Sequence, residues 1–336
     1  MTTLKEIAKA AGVSTTTVSN VINGNHKRVS RETIAQIQAI VRQSGYIPNQ
    51  AARSLAQRES RFIAVIIQAD ADENSFLNPY NAAYAGAITV NLYRYGYYPL
   101  IRFTDDFHTV ERDIKGWNVA GAIFNGSYNR YLQQIESLEA LPSVFVDCFF
   151  NLPGVSYVEV ADETGGRLAG DYLREMGHRR VGFIANDLED SIVEQRRLAG
   201  LRQSLEAGGL AIPEAFVFPT SDYDACGDRL IDLVRRPDGP TAFLCCADLA
   251  AIRLMRHFED HGIRVPGDVS VVGFDNLPLA ELCTSQLTTV AQDIDEKARL
   301  AVELLVRHIQ DRNLPPERAE LDVRLIARKS VKRLEE

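Results

Sequence analysis

The stretch LKEIAKAAGVSTTTVSNVIN, from Leu4 to Asn23, has the pattern of two short helices joined by a tight turn. Apolar residues in its first half recur at i, i+3, i+4 and i+7 and therefore share one helical face. They are Leu4, Ile7, Ala8 and Ala11. Gly12 marks the turn, because a residue without a Cβ accepts a sharp change of backbone direction most readily. Ser14 is predicted to cap the second helix, and an apolar stripe follows it at Val18, Val21 and Ile22. These features predict a helix-turn-helix unit, which places its second helix in the major groove of DNA.

The outward positions of the second helix carry small hydrogen-bonding side chains. Thr15 and Thr16 stand at its N-terminal end, and Asn20 lies about one turn further on. Hydroxyl and amide groups can contact base edges, and asparagine can pair with adenine through two hydrogen bonds. We predict DNA contacts at these three residues and at their neighbours Ser14 and Thr17. A small helical hairpin with an ordinary polar face is the alternative at this point.

The distribution of charge favours the DNA interpretation. The 336 residues carry a net charge of −8, which by itself argues against a nucleic-acid partner. Residues 1–60, however, hold eight basic and three acidic side chains, a net charge of +5, so the rest of the chain carries −13. A basic N-terminal segment on an acidic body suits phosphate contacts that are confined to that segment.

The residues after the second helix predict a third one. Ser30 can cap it, Ile34, Ile37 and Val41 share one of its faces, and Gly45 ends it. Three short helices of this kind can enclose a small apolar core.

From Arg61 onwards, short apolar runs alternate with amphipathic stretches. The apolar runs are Phe62–Ile67, Ala120–Phe124, Val144–Val146, Val181–Ala185, Ala242–Cys246 and Val269–Phe274. The amphipathic stretches include Asn78–Arg94, Thr164–Met176, Glu194–Glu206, Leu249–His261 and Glu296–Arg312. Apolar strands separated by helices are typical of parallel sheets covered on both faces. The predicted fold is an all-α helix-turn-helix headpiece followed by an α/β body of two parallel-sheet lobes.

Polar side chains follow strand after strand of the predicted body. They are Asn125, Asp147, Asn186, Asp187, Asp248 and Asp275. In open parallel sheets, ligands bind beyond the carboxyl ends of the strands, so two facing lobes would direct these groups into one cleft. Carboxylate and amide groups are suited to hydrogen bonds with sugar hydroxyls. An ordinary helix N-cap is the alternative for individual aspartates, above all for Asp162 and Asp248.

Several motifs carry a family resemblance over nearly the whole chain. The opening stretch, ARSL at Ala52–Leu55, RRLAG, RVPGDVSVVGFDN and LTTVAQ resemble the lactose-repressor (LacI/GalR) family of bacterial transcription regulators. The resemblance implies a regulatory body like that of a periplasmic sugar-binding protein. It also implies a homodimer on a roughly palindromic operator, with operator affinity controlled allosterically by a small molecule.

The segment from Gln50 to Arg58 gains meaning from this resemblance. Nine residues form only a marginal helix in water, so a plain linker is one interpretation. In the family, this segment becomes helical when two subunits meet on DNA, and a leucine enters the minor groove at the operator centre. Leu55 matches that leucine, and such an apolar wedge kinks DNA. We therefore expect Leu55 and Arg53 to be DNA-contacting residues.

The resemblance also implies effector contacts. In the family, the arginine of the RLAG motif and the aspartate after VGF bind the effector, which makes Arg197 and Asp275 the first choices. Asp147 and Asp248 are the second choices, and Asn125 joins them because it follows a strand.

Two departures from the family pattern concern aromatic residues. Tyr80, in Asn78-Pro79-Tyr80, resembles the aromatic that flanks the cleft in the family, but the segment Ala69–Leu77 before it is longer than usual. The Gly-Asp-Phe segment of the family is replaced by Thr220-Ser221-Asp222-Tyr223. Tyr223 is therefore the expected stacking residue, one position out of register.

The expected domains are a helix-turn-helix domain at residues 1–46 and a hinge segment at residues 47–60. The N-terminal lobe is expected at residues 61–160 and 292–318, and the C-terminal lobe at residues 161–291 and 319–336. In this arrangement, the chain crosses between the lobes three times.

An enzyme on the same α/β scaffold is the main alternative class. The sequence has no GxGxxG, P-loop, HExxH or GxSxG motif, and its six histidines are scattered. Gly165 and Gly166 lie early in a helix, which favours close helix packing over a phosphate loop. His178 is expected to act as a cation at the end of a helix. We predict no catalytic residue, no metal and no cofactor.

The effector class, the assembly and the location are predicted more coarsely. A carbohydrate is the first expectation for the effector, a nucleoside or purine is the alternative, and the sign of the response is open. The chain ends at Lys329–Glu336 without a leucine-heptad tail, which favours a dimer over a tetramer. No apolar run approaches the roughly 20 residues of a membrane span, and the N-terminus lacks a signal-peptide core. We therefore expect a cytoplasmic protein and not the binding protein of a sugar transporter.

Overall fold

The computed structural model describes residues 2–22, 24–27, 29–46, 60–69, 75–104, 106–126, 141–148, 154–219 and 223–335. The chain divides into two compact units, Met1–Ser60 and Arg61–Glu336. Arg53 and Leu55 of the predicted hinge segment lie outside the described residues. Within the described part, no helix is long and apolar enough to cross a membrane.

The first unit is a three-helix headpiece. Its helices are α1 (Leu4–Ala11), α2 (Thr15–Ile22) and α3 (Arg31–Ser44). The side chains on the inner faces of these helices form a small apolar core, which consists of Ile7, Ala8, Ala11, Val18, Val21 and Ile37. The predicted helix pair and the third helix are confirmed.

The helix ends of the headpiece follow from local chemistry. Ser14 and Ser30 each accept a backbone hydrogen bond from the residue three positions on, at 3.1 Å and 3.2 Å. Gly12 and Gly45 end α1 and α3 in the left-handed conformation, with φ of 66° and 62°, where a side chain would be strained. Thr3 also forms a capping box at the start of α1.

The second unit, the body, alternates strands and helices. Its strands are β1 (Phe62–Gln68), β2 (Tyr98–Thr104), β3 (Gly121–Asn125), β4 (Ser143–Val146), β5 (Ser156–Val160), β6 (Val181–Ile184), β7 (Val217–Phe218), β8 (Ala242–Cys245), β9 (Ser270–Asp275), β10 (Thr288–Ala291), β11 (Arg318–Leu321) and β12 (Arg324–Ile326). Its α-helices are α4 (Pro79–Arg94), α5 (Phe107–Trp117), α6 (Asp162–Glu175), α7 (Ile192–Ala207), α8 (Tyr223–Arg235), α9 (Asp248–Asp260), α10 (Leu279–Leu282) and α11 (Ile294–Gln310). Short 3-10 helices lie at Ser75–Leu77 and Glu214–Phe216.

The strands form two sheets, one in each lobe. The first has the order β11-β5-β4-β3-β1-β2, and the second has the order β12-β10-β9-β8-β6-β7. All neighbouring strands are parallel except β10 and β12, which are antiparallel. The central strands β1, β3, β8 and β9 are almost wholly buried, as expected for sheets with helices on both faces. Two parallel-sheet lobes are what the apolar runs predicted.

The chain passes between the lobes at three places. It crosses after β5, after β10 and between β11 and β12. The third crossing corrects the predicted boundary after residue 318, because residues 318–321 pair with β5 in the first sheet. Only Arg324–Ile326 pairs with β10 in the second sheet.

Helices α6 and α7 pack unusually closely. A Cβ on Gly166 would fall well inside contact distance of the Arg197 carbonyl oxygen, and one on Gly200 would do the same to Glu163. A Cβ on Gly165 would collide with the ring of Phe274. Gly165 and Gly166 serve packing, as predicted, and the close contact between the two helices sets the position of α7 against the sheet.

His178 corrects a prediction, because it is not a cationic cap. It is fully buried, its Nδ1 bonds the Thr241 hydroxyl at 2.9 Å, and its Nε2 bonds the carbonyl of Lys332 at 3.2 Å. Burial lowers the pKa of the imidazole to about 4. The neutral ring therefore ties the C-terminal segment to the second lobe.

Candidate functional site

Helix α2 presents two of its threonines to solvent. Thr15 and Thr16 are exposed, whereas Asn20 is half-buried. Ser14 and Thr17 are engaged with each other, with 2.9 Å between their hydroxyl oxygens. Thr15, Thr16 and Asn20 therefore remain the candidates for base contact, and Ser14 and Thr17 have a structural task as well. Lys5, Lys9, Lys27 and Arg31 are exposed on the same unit.

A second candidate site lies at the carboxyl ends of the strands in the body. Its C-terminal-lobe half is built around Arg197 on α7, which is 7% exposed. The Nε of Arg197 donates to Asp162 at 2.8 Å, its Nη1 donates to the carbonyl of Cys246, and its guanidinium lies 3.6 Å above the centre of the Phe274 ring. Burial opposes this positive charge, but Asp162 and Asp275 outweigh it and raise the pKa of Arg197. The guanidinium is thus charged and held rigidly.

Asp275, at the end of β9, completes this half. Its Oδ1 accepts a hydrogen bond from Gln292 Nε2 at 2.6 Å. Burial raises the pKa of Asp275 to about 6, while Arg197, Gln292 and Lys297 oppose that rise. The carboxylate is mainly ionised at neutral pH and becomes protonated in mild acid.

The N-terminal-lobe half is centred on Asp147, at the end of β4. Lys297 of α11 donates to both of its oxygens, at 3.1 and 2.8 Å. The hydroxyl of Tyr80 donates to Oδ2 at 3.1 Å, and Asn125 Nδ2 lies 3.4 Å from the same oxygen. Three of the predicted residues, Tyr80, Asn125 and Asp147, are therefore brought together, with an unpredicted lysine among them.

The two halves lie within electrostatic range of each other. Burial, together with Asp147 and Asp275 from the two lobes, raises the pKa of Tyr80 well above its ordinary value. Asp147 and Asp275 also have positive φ angles, 57° and 118°, which are strained for residues with a side chain. Such strain concentrates at functional sites.

Two buried oxygens of the site have no hydrogen-bond partner among the described residues. They are Oδ2 of Asp162 and Oε1 of Gln292. Gln292 Nε2 already donates to Asp275, so Oε1 is the free end of that amide. Both oxygens are acceptors, and unpaired buried acceptors call for a donor from a ligand or water.

The other predicted residues differ in their positions. Asp248 is completely buried; its oxygens accept from Leu277 N at 2.7 Å and from the Thr289 hydroxyl at 2.5 Å. Asp248 holds α9 against β10 and the segment after β9, and it acts electrostatically on Asp275 of the candidate site. Asn186 and Asp187 are exposed, and their backbone N–H groups donate to Glu194. The side chain of Tyr223 lies outside the described residues.

The N-cap alternative for Asp162 and Asp248 is wrong. Each is the first residue of its helix, and the cap positions are Ala161 and Ala247. Asp162 instead holds Arg197 from across 35 residues of sequence. Burial raises the pKa of Asp162, and Arg197 counteracts that effect.

Lys297 and Gln292 are the residues that sequence reasoning missed. Lys297 stands among Ile294, Ala298 and Ala301 on the face of α11 that packs against the first lobe. A lysine within an apolar helical stripe is unusual, because a buried ammonium needs partners. The lysine that interrupts the apolar stripe was the sequence feature that could have identified Lys297 as a functional residue. Gln292 has no comparable signal, since one polar residue between a strand and a helix is ordinary.

Comparison with family models matches two parts of the chain. Residues 3–49 match the model of bacterial regulatory proteins of the lacI family. Residues 170–331 match the model of the periplasmic binding protein-like domain.

Individual proteins match over nearly the full length. A ribose operon repressor of Haemophilus influenzae is 30% identical over 318 residues, which cover 93% of each chain. The structure of a Lac repressor dimer bound to operator and the anti-inducer ONPF is 25% identical, with a TM-score of 0.85 and coverage of 98% of this chain and 99% of that one. A complex of the transcriptional regulator CelR with cellobiose is 28% identical, with a TM-score of 0.72 and coverage of 98% and 100%.

Proposed function

This chain belongs to the LacI family of bacterial regulatory proteins, and from that premise we propose that it is a repressor whose operator affinity is set by a carbohydrate bound between its two lobes. It is a DNA-binding regulator and not an enzyme. The observation that carries the effector proposal is the excess of open acceptors in the cleft.

The headpiece supports the DNA part of the proposal. Thr15 and Thr16 are exposed at the start of α2, where side chains of a recognition helix reach base edges. We propose that Asn20 contributes a third contact and that Arg53 and Leu55 add contacts from the hinge segment. The exposed lysines around the headpiece would neutralise phosphates.

The cleft supports a ligand with several hydroxyl groups. Asp162 and Gln292 each have a buried acceptor without a partner in the described chain, and Asp275 uses only one oxygen for Gln292. Hydroxyl groups can donate to these acceptors and also accept from Arg197. The named relatives are consistent with a sugar, since one is a repressor of a ribose operon and another is a complex with cellobiose.

Regulation follows as a linkage between two sites. The effector shifts the equilibrium between two lobe arrangements only by its differential affinity for them. The chain segment after β10 carries Gln292, which bonds Asp275 in the second lobe, and Lys297, which bonds Asp147 in the first. We propose that, when an effector binds in the cleft, this segment changes the arrangement of the two lobes relative to each other.

A homodimer is the proposed assembly, and the body has a surface that fits it. Several large apolar side chains of the first lobe are exposed, namely Val90 and Tyr93 on α4, Tyr95 after it, and Tyr98 on β2. Leu282 is also 83% exposed. Exposed apolar patches of this kind mark interfaces, and a two-fold dimer matches a palindromic operator. The proposed location is the cytoplasm, where bacterial operator DNA lies.

The proposed domain division is a headpiece to residue 46, a hinge segment to residue 60 and two lobes. The N-terminal lobe takes residues 61–160 and 292–321. The C-terminal lobe takes residues 161–291 and 322–336.

The proposal is tested with the purified full chain. Operator sequences are first selected from random duplex DNA and checked for two-fold symmetry. Thermal unfolding is then followed with ribose, cellobiose, hexoses and purine bases, because a ligand that binds only the folded state raises the melting temperature. A sugar that raises the melting temperature and changes operator affinity supports the proposal.

A purine that raises the melting temperature and changes operator affinity would show that the effector is a purine and not a carbohydrate. Failure to select any DNA would contradict the regulator itself. If DNA is selected but no sugar has an effect, only the proposal of a carbohydrate effector is contradicted.

A further inference from the structure

Lys297 is a buried lysine within the cleft, and it brings a positive charge there in addition to its bond to Asp147. Its side chain is 1% exposed. Its Nζ lies 2.9 Å from the Tyr80 hydroxyl oxygen and 3.1 and 2.8 Å from the two oxygens of Asp147. The three ammonium protons therefore have three acceptors, which is what a buried ammonium group needs.

The enclosure of Lys297 limits how it can act. Its nitrogen is fully engaged by Tyr80 and Asp147, so a ligand would meet those two side chains and not the ammonium group. The side chain of Asp147 is 12% exposed, and its Oδ1 accepts only from Lys297 among the hydrogen bonds of the described residues. Lys297 is therefore a positioning residue that acts through its charge and through Asp147.

The formal charge of the site depends on this lysine. Three carboxylates, Asp147, Asp162 and Asp275, face two cations, Arg197 and Lys297. The net charge of these five groups is −1 with Lys297 and would be −2 without it, and the count leaves out the buried carboxyl groups of Glu194 near Arg197 and Asp248 near Asp275. The charge also acts across the cleft, because Lys297 lowers the pKa of Asp275 against the larger effect of burial.

We propose that Lys297 sets the charge selectivity of the effector site and restricts it to uncharged polyhydroxylated ligands. This inference rests on the proposed function, since it concerns the same cleft. A carboxylate or phosphate ligand would meet three carboxylates and could donate nothing to the open acceptors. An amine could donate to them, but its positive charge would be repelled by the ammonium group of Lys297 and the guanidinium of Arg197.

A series of variants separates charge from structure. Lys297→Met leaves Asp147 without its cation, Asp147→Asn leaves Lys297 without its anion, and the double variant restores the wild-type net charge without either group. A buried charge that has lost its partner favours a ligand of opposite charge. The double variant should therefore regain wild-type selectivity although it lacks both side chains.

The probes differ only in charge. Glucose, galactose and mannose are each compared with the corresponding 2-amino sugar and uronic acid by titration calorimetry at neutral pH. The wild-type protein should bind at least one neutral hexose more tightly than both charged forms. Lys297→Met should shift the ratio of affinities towards the amino sugar by about tenfold, and Asp147→Asn should shift it towards the uronic acid by about as much, the effect of one charge across a partly screened site.

The control is Arg299→Met, which removes a cation from the exposed side of the same helix. Arg299 is 43% exposed and pairs with Glu296 at 2.7 Å, so its loss should leave the ratios unchanged. A purely structural role for Lys297 would make the double variant the worst binder without altering selectivity. If Lys297→Met does not fold, the comparison of Asp147→Asn with the double variant decides the question.

Three results would overturn the proposal: equal ratios in all variants, a wild-type preference for a charged sugar, or no binding of any neutral hexose. The last result with intact operator binding would leave the DNA-binding regulator in place. Loss of operator binding with the expected sugar ratios would instead contradict the proposed function and uphold the role of Lys297.

Discussion

Asp147 and Asp275 are the two residues through which we propose that the lobes contact a ligand. Each lies at the end of a strand, each is buried, and each has a positive φ. Their partners differ: Asp147 is held by a lysine at 2.8 Å, whereas Asp275 is held by an amide at 2.6 Å. Burial raises the pKa of Asp275, so we expect its ionisation to govern effector binding.

Effector affinity should fall in mild acid because of Asp275. Burial raises the pKa of this carboxyl to about 6, so the form that accepts from ligand hydroxyls is present above that pH and lost below it. We expect the affinity for a sugar effector to fall by up to about tenfold per pH unit between pH 6 and pH 5. Titration calorimetry across this range measures the slope.

Variants at Asp275 test whether this carboxyl group causes the pH dependence of effector binding. Asp275→Asn should remove the pH dependence, and Asp275→Ala should abolish the effector response while operator binding persists. Asp268→Asn is the matched control, because Asp268 pairs with Arg264 at 2.7 Å on an exposed surface. A normal response from Asp275→Ala would mean that the effector binds elsewhere.

His178 should make the stability of the body depend on pH. Burial lowers its pKa to about 4, below the usual value near 6.5 for an unfolded chain. The unfolded state therefore binds the proton more readily, and the stability is complete above about pH 6.5 and is lost as the pH falls towards 4. The loss could reach about 3 kcal/mol.

Chemical denaturation at pH 7.5 and pH 5 measures this loss. His178→Gln should unfold more easily at pH 7.5 and should show a smaller difference between the two pH values. His261→Gln, at an exposed position, should behave like the wild type. An identical pH difference in both variants would show that other groups cause the acid sensitivity.

At the scale of elements, the pair α6 and α7 positions the arginine of the site. Gly166 lies against the backbone of Arg197, and Gly200 lies against the backbone of Glu163. The close approach lets Asp162, at the start of α6, reach Arg197 on α7 at 2.8 Å. Two glycines thus determine where the guanidinium stands over the ring of Phe274.

Gly166→Ala should therefore damage stability and effector binding together. The added methyl group would force α7 away from α6, and overpacking of this kind costs about 1–3 kcal/mol. Thermal unfolding measures the first effect, and calorimetry with a sugar effector measures the second. Gly86→Ala, in helix α4 with no atom within 4 Å of the added Cβ, should leave both unchanged or raise stability slightly. Equal effects of the two substitutions would contradict the packing argument.

At the scale of the whole molecule, we propose that regulation depends on the two crossings that carry residues of the candidate site. The crossing after β5 leads into Asp162, and the crossing after β10 leads through Gln292 to Lys297. Each crossing therefore connects a strand of one lobe to residues of the candidate site in or near the other lobe. We therefore expect a ligand in the cleft to act on the same segments that connect the lobes.

Leu55 should matter for operator binding alone. We propose that it enters the minor groove, and the loss of such a buried leucine should weaken operator binding roughly ten- to hundredfold. Fluorescence anisotropy with a selected operator compares Leu55→Ala with the wild-type protein. Stabilisation by a sugar effector should be unchanged, and a parallel loss of effector binding would refute the assignment.

The sequence by itself determined the local features of this protein. Helical periodicity identified the helices of the headpiece, Ser14 and Ser30 marked helix starts, and apolar runs located six strands of the body. Strand β2, Tyr98–Thr104, was not identified, because most of its residues are only half-buried and Arg102 interrupts its apolar run. Local propensity and burial act over a few residues, so a single segment is sufficient to reveal them.

Only the tertiary structure decided which of these segments meet. The bonds of Lys297 to Asp147 and Tyr80 span 150 and 217 residues of sequence, and the pairing of Arg318–Leu321 with β5 moved a lobe boundary. The same structure bonds Asp248 to Leu277 and Thr289, and it places Gln292 against Asp275 in the candidate site. Such contacts depend on strand order and on where the chain crosses between lobes, which are set by long-range packing and not by any local pattern.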